Sequence, residues 1–306
     1  MVLAEELRRI IGKGQILENE PMKNHTTFRI GGPADILLCP ETEEELIQGL
    51  AWCQDQKIPV YIIGNGSNLL VGDKGFRGVI FKICKNLDQV DITESASFLQ
   101  VCAGAGTMLA RLAKEISARG YRGFEFATGI PGTLGGAVTM NAGAYGGEMK
   151  HILTSVRTVD MAGNIREMSL EELELGYRTS RIQKEALIVI SVTMRFEKGD
   201  RDAIMERVED LSRQRREKQP LEYPSAGSTF KRPVGYFAGK LIQDAGLKGY
   251  RVGDAMVSEK HSGFVINAGA ATARDVCQLM ADVDCRVYEK FGVHLEPEVR
   301  LIGEFE

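Results

Sequence analysis

Two glycine-rich stretches are the first feature of this sequence that could do chemistry. Residues 64–69 read GNGSNL, and residues 128–148 read TGIPGTLGGAVTMNAGAYGGE, where seven of twenty-one positions are glycine and Glu148 is the only charge. Glycine weakens helices and strands because it loses the most conformational freedom on folding, so a run this dense indicates backbone that something presses against closely. Backbone N–H groups left free in such turns bind phosphate oxygens.

For one glycine cluster alone, a tight turn between strands is the favoured explanation. For two uncharged, glycine-dense clusters, a nucleotide-binding site and a pair of tight turns are equally well supported. The standard nucleotide and hydrolase motifs do not fit. GAGTML at 104–109 has Leu109 in place of the third glycine of GxGxxG, and YPSAG at 223–227 has Tyr223 in place of the first glycine of GxSxG. No GxxxxGK[ST] occurs. The loops therefore predict a dinucleotide held without a Rossmann site.

Two polar segments outside the glycine loops could bind or protonate a substrate. GYRTSRIQ at 176–183 carries Arg178 and Arg181, and arginine offers a planar fork for a carboxylate or phosphate, although a surface ion pair is the commoner role. PSAGSTFKRP at 224–233 is small, polar and bounded by proline, as a loop turned towards a ligand would be. Ser228 there could donate a proton or cap a turn.

Two further charged groups lie near the C-terminal half of the chain. The spacing of Glu296 and Glu298 in LEPEVRLIG places both on one face of a predicted terminal strand, either exposed at an edge or held in a site. A cluster of basic residues ends the helix predicted at 202–218, where it would form a solvated face that favours the helix dipole. The cluster consists of Arg213, Arg215, Arg216 and Lys218. Lys218 also lies beside the serine segment.

Composition limits the classes of function. A net charge of −4 over 306 residues argues against general nucleic-acid or membrane-surface binding. The start MVLAEELRRIIGKG lacks a signal-peptide apolar region, and no apolar run approaches the ~20 residues of a membrane span. Six scattered cysteines without a CxxC pair favour free thiols in a reducing cytoplasm over a disulfide framework. The four histidines lie far apart in the sequence and show no zinc-binding spacing, so we expect no metal ion.

Hydrophobic periodicity predicts an α+β chain in two lobes. In the first half, helices are predicted from residue 41, where Thr42 and Glu45 have capping-box spacing, and over 107–120, with Leu109, Leu112, Ala113 and Ile116 on one face. Strands are predicted at 57–63, 79–83, 97–104 and 187–196, and as a pair around a turn at Ala162–Asn164. In the second half, helices are predicted at 202–218, 235–246 and 272–292, followed by a strand at 293–303.

The boundary between the lobes is placed near Gly199–Asp200, where a strand gives way to a charged helix. Residues 1–199 form the first lobe, with two subdomains divided near 70–85, and residues 200–306 form the second. The helix at 272–292 has the clearest signals: Thr272 caps it, an apolar stripe runs along it and Gly292 ends it.

Six motifs in order along the chain resemble the UDP-N-acetylenolpyruvoylglucosamine reductase family. They are NHTTFRIGG at 24–32, IGNGSNLLV at 63–71, the stretch at 128–148, YRTSR at 177–181, AGSTFKRP at 226–233 and LEPEVRLIG at 295–303. The resemblance covers residue 20 to the C-terminus. It implies a p-cresol methylhydroxylase-like FAD-binding fold, in which two α+β subdomains hold FAD and a smaller α+β lobe binds a UDP-sugar, with the C-terminal strand returning to the active site.

The resemblance assigns FAD contacts to both glycine stretches. From the first stretch these are Gly64, Asn65, Gly66, Ser67, Asn68 and Leu69. From the second they are Gly129, Pro131, Gly132, Thr133, Gly135, Gly136, Asn141 and Gly143. The pyrophosphate is expected at the first stretch, where the physical argument and the resemblance agree. Neither stretch contains histidine or cysteine, so FAD is expected to be dissociable.

The resemblance also implies the chemistry of the polar residues. NADPH reduces FAD, which then reduces the enolpyruvyl group of the UDP-sugar to complete UDP-N-acetylmuramate for bacterial peptidoglycan. Arg178 would hold the substrate carboxylate, and Glu298 would polarise it as a protonated donor with a raised pKa. Ser228 would deliver the proton to C2. Lys218 would contact the diphosphate, and Tyr145 would lie on the substrate side.

The expected subtype is the compact form of the enzyme. Only 49 residues separate Arg178 from Ser228, which leaves no room for the additional tyrosine-bearing loop of the longer form. Two alternatives remain: an FAD-dependent alcohol oxidase or dehydrogenase of the same superfamily, and a non-catalytic flavin-binding module. Neither alternative requires Arg178, Ser228 and Glu298 together. The implied ligands are small molecules, with no nucleic acid, membrane or obligate protein partner.

Overall fold

The chain forms two compact units, which are described separately. The computed structural model describes residues 2–305. The first unit comprises residues up to Glu18, Ile36–Asn65 and Val79–Arg215, and the second comprises Asn19–Asp35, Gly66–Gly78 and the chain from Arg216 onward. The chain thus passes between the units five times, whereas the sequence suggested one boundary near Gly199–Asp200.

Helices and strands are both well represented in the described part of the chain. Residues 2–305 contain eight α-helices: α1 Val2–Ile10, α2 Glu43–Asp55, α3 Leu109–Ala118, α4 Leu134–Thr139, α5 Arg181–Lys184, α6 Arg201–Lys218, α7 Ala238–Asp244 and α8 Ala273–Phe291. The first eight strands are β1 Gln15–Pro21, β2 Pro33–Cys39, β3 Val60–Ile63, β4 Leu69–Val71, β5 Phe76–Lys82, β6 Val90–Glu94, β7 Phe98–Gly104 and β8 Tyr121–Arg122. The others are β9 Gly143–Ala144, β10 Gly147–Glu148, β11 Leu153–Val159, β12 Ile165–Ser169, β13 Ile188–Lys198, β14 Arg251–Val252, β15 Ala255–Val257, β16 Val265–Asn267 and β17 Arg300–Ile302.

The first unit is organised around an antiparallel sheet. Its strand order is β12-β11-β13-β7-β6, and β8 pairs with the end of β13. The hairpin β11–β12 turns at Ala162–Asn164, as predicted, because the Asp160 carboxylate accepts hydrogen bonds from the backbone N–H groups of Ala162 and Asn164. In the same unit, β3 runs parallel to residues Val79–Lys82 of β5.

One hydrophobic core serves the first unit. The predicted apolar face of α3, formed by Leu109, Leu112, Ala113 and Ile116, is fully buried in it. The large aromatic side chains Phe124 and Phe196 stack at 5.3 Å between ring centroids within this core. The amphipathic pattern of α3 was therefore sufficient to orient the helix.

The second unit has a separate core built around α8. Thr272 and Asp275 form a capping box at the start of α8, and Gly292 ends it with a left-handed φ of 68°. The apolar stripe of α8 packs in the core with the antiparallel sheet β14-β15-β16. In the same unit, β17 pairs in parallel with β4. The predicted boundaries of α8 are confirmed.

Five elements differ from the sequence-based expectation. The glycine-rich stretch is not all loop, because α4 forms within it. The C-terminal strand covers only Arg300–Ile302, so Glu296 and Glu298 lie outside any regular strand. Helix α1 and strands β1 and β2 were not predicted. Between residues 2 and 305, no helix is both long and apolar enough to span a bilayer.

The start of α2 shows how a buried carboxylate is satisfied. Thr42 Oγ1 accepts a hydrogen bond from Glu45 N, as the capping-box spacing predicts. The Glu45 carboxylate, however, bonds elsewhere, accepting from the backbone N–H groups of Lys13, Gly14 and Glu41. Burial alone would raise the pKa of Glu45, but these hydrogen bonds outweigh burial and lower it.

We expect Glu45→Gln to lower the free energy of unfolding by about 1–3 kcal/mol at neutral pH, because an amide cannot accept all the backbone hydrogen bonds. Since the folded-state pKa lies below the unfolded value, this stabilisation is present above the unfolded pKa of about 4.3 and is lost as pH falls through the folded pKa. Denaturant titrations of wild type and variant at several pH values measure this difference in the free energy of unfolding. The exposed neighbour Glu44→Gln is the control, and an equal loss in both variants would contradict the assignment.

Candidate active site

The two glycine-rich stretches touch each other within the first unit. A Cβ atom on Gly64 would lie 2.0 Å from Thr133 Oγ1, so any larger residue at position 64 would push the two loops apart. Asn65 Nδ2 donates a hydrogen bond of 2.7 Å to the carbonyl oxygen of Pro131. Segments separated by more than sixty residues therefore form one continuous backbone surface.

The remainder of the first loop, from Gly66 onward, belongs to the second unit. Gly66 has a φ of 62°, and its Cα faces the carbonyl oxygen of His25, which a Cβ would approach to 2.1 Å. Asn68 Nδ2 donates to the carbonyl oxygen of Glu298 at 3.1 Å, and Asn68 O accepts from Arg300 N at 2.9 Å. The loop thus fixes the backbone on both sides of Val299.

Some glycines of the second stretch serve packing between protein segments. Gly135 lies at the start of α4, where a Cβ would come within 2.8 Å of Ala105 Cβ, and its N–H donates to Ala105 O. The carbonyl of Gly132 accepts from Leu109 N. Gly129, Pro131 and Gly136, by contrast, are exposed and can meet a ligand.

Asn141 holds the end of the second stretch together. It is 1% exposed and has a left-handed φ of 44°. Its Nδ2 donates to Glu148 Oε2 and to the carbonyl of Gly176, while its Oδ1 accepts from Lys150 N. The side-chain amide is therefore engaged by protein groups, and its contribution to an FAD site is to position the chain from Gly143 to Glu148.

Arg178 and Tyr145 both lie in strained backbone in the first unit. Arg178 has a φ of 56° and Tyr145 a φ of 53°, values that non-glycine residues adopt rarely and usually at functional sites. Gly176, which Asn141 anchors, pairs with Thr179 across Arg178 in a tight turn. This turn projects Arg178 from the chain, with its guanidinium carbon 5.3 Å from the Tyr177 ring centroid.

Arg181, the second arginine of that segment, has a structural role. It begins α5, and its Nε donates to Glu185 Oε1 at 2.5 Å, one turn further along the helix. Contact with Glu185 raises the pKa of Arg181. The sequence did not distinguish the roles of Arg178 and Arg181. In the structure, Arg181 forms an ordinary i,i+4 ion pair with Glu185, whereas Arg178 lies in the tight turn.

Ser228 and Glu298 lie on neighbouring segments of the second unit. Ser228 is exposed, but Thr229 beside it is buried, with Thr229 N donating to Gly263 O and Thr229 Oγ1 accepting from Val265 N. The carbonyl of Thr229 accepts from Glu298 N at 2.8 Å. A rigid backbone contact thus holds the serine next to the carboxyl residue.

The two glutamates of the C-terminal motif lie in different surroundings. Glu298 is 9% exposed, whereas the Glu296 side chain is 70% exposed and pairs with Lys231. The expectation that both belong to the terminal strand is wrong, because that strand covers only Arg300–Ile302 and the segment before it pairs through an isolated bridge between Phe230 and Pro297. Lys218, the last residue of α6, is exposed.

Arg215 was predicted to lie on a solvated helix face, and this prediction is wrong. Its Nε and Nη1 atoms are buried and have no hydrogen-bond acceptor among residues 2–305. The guanidinium carbon lies 6.0 Å from the Tyr145 ring centroid, and a Cβ on Gly129 would come within 2.4 Å of Nη1. A sequence signal existed: Arg215 continues the buried stripe Ile204, Val208, Leu211 at helical spacing.

A surface groove of about 910 Å³ also lies in the first unit. Tyr145 and Gly147 line one side of it, and Arg122 and Arg195 lie on another. These arginines are already engaged, Arg122 by Glu197 and Arg195 by the Phe98 ring at 4.0 Å. The groove is lined by neither Gly64 nor Arg178, so it is not the predicted cofactor site.

Comparison with known proteins decides the family. A model of the C-terminal domain of UDP-N-acetylenolpyruvoylglucosamine reductase matches residues 219–302, and an FAD binding domain model matches residues 34–169. The reductases of that name from Alkaliphilus oremlandii and Lachnoclostridium phytofermentans are 54% and 53% identical, each over at least 97% of both chains. The chain belongs to the UDP-N-acetylenolpyruvoylglucosamine reductase family.

A solved structure supports the same assignment. The crystal structure of UDP-N-acetylenolpyruvylglucosamine reductase from Thermus caldophilus has a TM-score of 0.79 and 36% identity, covering 94% of this chain and 98% of its own. The expected family, α+β FAD-binding fold and FAD cofactor are confirmed. As a reductase of this family, the chain is a flavoprotein oxidoreductase.

The residues present fit a bound flavin nucleotide. The joined loops offer exposed, side-chain-free backbone at Gly129 and Gly136, and Arg215 offers buried N–H groups without an acceptor in the described chain. Bare backbone suits the face of a flat aromatic ring, and N–H donors without an acceptor suit an anionic or carbonyl oxygen of a ligand. The contacts of individual residues with FAD, including those of Ser67 and Gly143, remain predictions.

The contact between the loops gives a direct test. Gly64→Ala places a methyl group against Thr133 Oγ1, so we expect it to lower the free energy of unfolding of the holoenzyme by about 1–3 kcal/mol. Removing the Thr133 side chain in the double variant with Thr133→Ala relieves that clash. Denaturant unfolding of both single variants and the double variant measures the coupling, expected at about 0.5–3 kcal/mol. Strictly additive losses would show that the loops do not meet at these two residues.

Proposed function

We propose that this chain catalyses the NADPH-dependent reduction of UDP-N-acetylglucosamine enolpyruvate to UDP-N-acetylmuramate, a step of bacterial peptidoglycan precursor synthesis. The observation that carries the proposal is the backbone contact between Thr229 O and Glu298 N, which holds exposed Ser228 beside buried Glu298. This contact joins the segment that carries a proton donor to the segment that carries a carboxyl group, and the reduction of an enolpyruvyl group needs both groups.

The reaction adds a hydride to C3 and a proton to C2 of the enolpyruvyl group, and negative charge develops on its carboxylate. Bound FAD, which the joined glycine loops would hold, takes up the reducing equivalents of NADPH and supplies the hydride. Arg178 is suited to bind the carboxylate, because its turn projects a guanidinium with a planar pair of donors. Stabilising charge where it develops lowers the barrier.

Ser228 and Glu298 complete the protein's part. The Ser228 hydroxyl donates its proton to C2, and its exposed position allows a proton from solvent to replace the one it gives. Glu298, which is largely buried, is proposed to act as a protonated donor to the substrate carboxylate. A charged Glu298 would oppose the charge that develops.

Substrate binding is assigned to two further residues. Lys218 ends α6 with an exposed ammonium group that would pair with the UDP diphosphate. Tyr145 is 38% exposed and lies against Arg215, so it would line the substrate side.

FAD is held without a covalent bond, since residues 64–69 and 128–148 contain no histidine or cysteine. The proposal places the enzyme in the cytoplasm as the compact form, acting on small molecules without a nucleic-acid, membrane or obligate protein partner.

An anaerobic double-mixing experiment tests the reaction. NADPH should bleach the flavin absorbance of the holoenzyme, and the UDP-sugar enolpyruvate should then restore it rapidly. Bleaching without recovery would favour an oxidase or dehydrogenase with another partner substrate. Absence of bleaching would favour a flavin-binding module without catalytic activity.

Ser228→Ala should separate the two half-reactions. Flavin reduction by NADPH should stay near the wild-type rate, while reoxidation by the enolpyruvyl substrate should slow by about 10²–10⁴-fold, because the proton donor is lost. Ser225→Ala, in the same segment, is the matched control and should leave both rates unchanged. Stopped-flow absorbance measures each rate, and equal losses in both half-reactions would rule out the proton-donor role.

A further inference from the structure

We propose that Cys39 and Cys84 form a redox-sensitive dithiol, which a hydroperoxide oxidises to an intramolecular disulfide. Both residues lie in the first unit and neither takes part in the proposed reaction, so the inference goes beyond the proposed function. Three observations carry it: the two thiols contact each other, two lysines flank Cys84 in the chain, and both thiols are only half-buried.

The fold brings the two thiols together although they lie far apart in the sequence. Cys39 is the last residue of β2, and Cys84 lies two residues beyond the end of β5. The parts of β2 and β5 that belong to the first unit, 36–39 and 79–82, are neighbours in one sheet. Neighbouring strands lie about 4.8 Å apart, and the Cα atoms of a disulfide lie about 4.4–6.8 Å apart. The ends of these two strands can therefore carry a disulfide.

The backbone of each cysteine is held by a close approach to a glycine. The carbonyl oxygen of Cys39 lies 2.9 Å from the place that a Cβ on Gly14 would occupy. The carbonyl oxygen of Cys84 lies 2.2 Å from the corresponding place on Gly106, and it accepts a hydrogen bond from Leu87 N. A backbone held in this way keeps the thiols in contact, so their reaction requires mainly side-chain rotation.

The surroundings of Cys84 favour the thiolate, which is the reactive form of cysteine. The Cys39 thiol donates a hydrogen bond to the Cys84 sulfur, and Lys82 and Lys85 add positive charge. Together they lower the pKa of Cys84 to about 6, although burial opposes this shift. Cys84 is half-buried and Lys85 beside it is exposed, so a small oxidant can reach the sulfur from solvent.

Two other cysteines show that this combination is not general in the protein. Cys53, in the same unit, is fully buried, and burial raises its pKa to about 12. Cys285 is exposed, but the Glu289 carboxylate beside it raises its pKa. The first thiol is inaccessible and the second stays protonated. Exposure alone therefore does not select the reactive site.

The chemistry consists of two displacements. The Cys84 thiolate attacks the hydroperoxide, so that an S–O bond forms, the O–O bond breaks, and the leaving oxygen takes up a proton. Cys39 then attacks the sulfenic sulfur of Cys84, so that the S–S bond forms and the S–O bond breaks, with loss of water. The two thiols give up two electrons and two protons, and hydrogen peroxide becomes two molecules of water. In a reducing compartment the disulfide would be transient.

The first experiment treats the holoenzyme with stoichiometric hydrogen peroxide and maps its cysteines by mass spectrometry. Wild type should lose two hydrogen atoms and give a peptide that links Cys39 to Cys84, which dithiothreitol separates. Cys39→Ser should stop at a sulfenic acid on Cys84, which dimedone traps, because no second thiol remains to resolve it. Cys285→Ser is the control and should form the same link as wild type.

The second experiment measures alkylation rates by iodoacetamide at about pH 6. In wild type, Cys84 should react about tenfold faster than Cys285, because its larger thiolate fraction outweighs the weaker nucleophilicity of a low-pKa thiolate. Cys39→Ala removes the hydrogen-bond donor and should slow alkylation of Cys84 about three- to tenfold. Cys39→Ser keeps a hydroxyl donor and should retain most of the rate. Neither experiment uses NADPH or the UDP-sugar, so failure of the proposed function would not imitate failure of this inference.

Three results would overturn the inference. A disulfide that joins Cys84 to another cysteine, or to a second protein chain, would show that Cys39 is not its partner. Oxidation of Cys285 while Cys39 and Cys84 both remain thiols would make the pair a packing contact. Equal alkylation rates of Cys84 in wild type and Cys39→Ala would show that the Cys39 thiol does not activate it.

Discussion

The absence of a side chain at Gly64 is the constraint on which the cofactor-binding surface depends. Thr133 Oγ1 occupies the space that a Cβ would need, and Asn65 bonds to Pro131 beside it. Backbone segments can approach this closely only where no Cβ intervenes. The glycine density therefore has two causes: some glycines allow protein segments to meet, and others leave the resulting surface bare for a ligand.

Buried charge separates structural from functional residues in this protein. Glu45 is buried with three backbone donors around it, so its charge stabilises the fold. Arg215 is partly buried with two N–H groups that find no acceptor in the described chain, so its charge costs stability in the free protein. The first pattern is complete within the chain, whereas the second leaves two N–H donors without an acceptor in the described chain. A family comparison alone would not distinguish them.

Backbone contacts of buried residues position the segments that carry the reactive side chains. Asn141 anchors Gly176 and thereby the turn that carries Arg178, and buried Thr229 anchors both its neighbour Ser228 and the Glu298 backbone. Ser228 can then remain accessible while its position is defined by a buried neighbour. Anchoring of this kind allows a loop to carry chemistry with the precision of regular secondary structure.

Local patterns in the sequence determined most of the helices, four strands of the larger sheet (β7, β11, β12 and β13) and the family. The stripe of α8, its caps and the turn at Ala162–Asn164 depend on residues within one or two turns of each other, which is why they could be predicted. The exposed serine and the turn of Arg178 follow from motifs equally short. Tertiary structure alone decided the partner of each polar group, since Glu45 bonds to a segment some thirty residues away and Glu296 and Glu298 separate although two residues apart. It also decided the burial of Arg215, because helical spacing places a side chain on a face but only packing determines whether that face offers an acceptor.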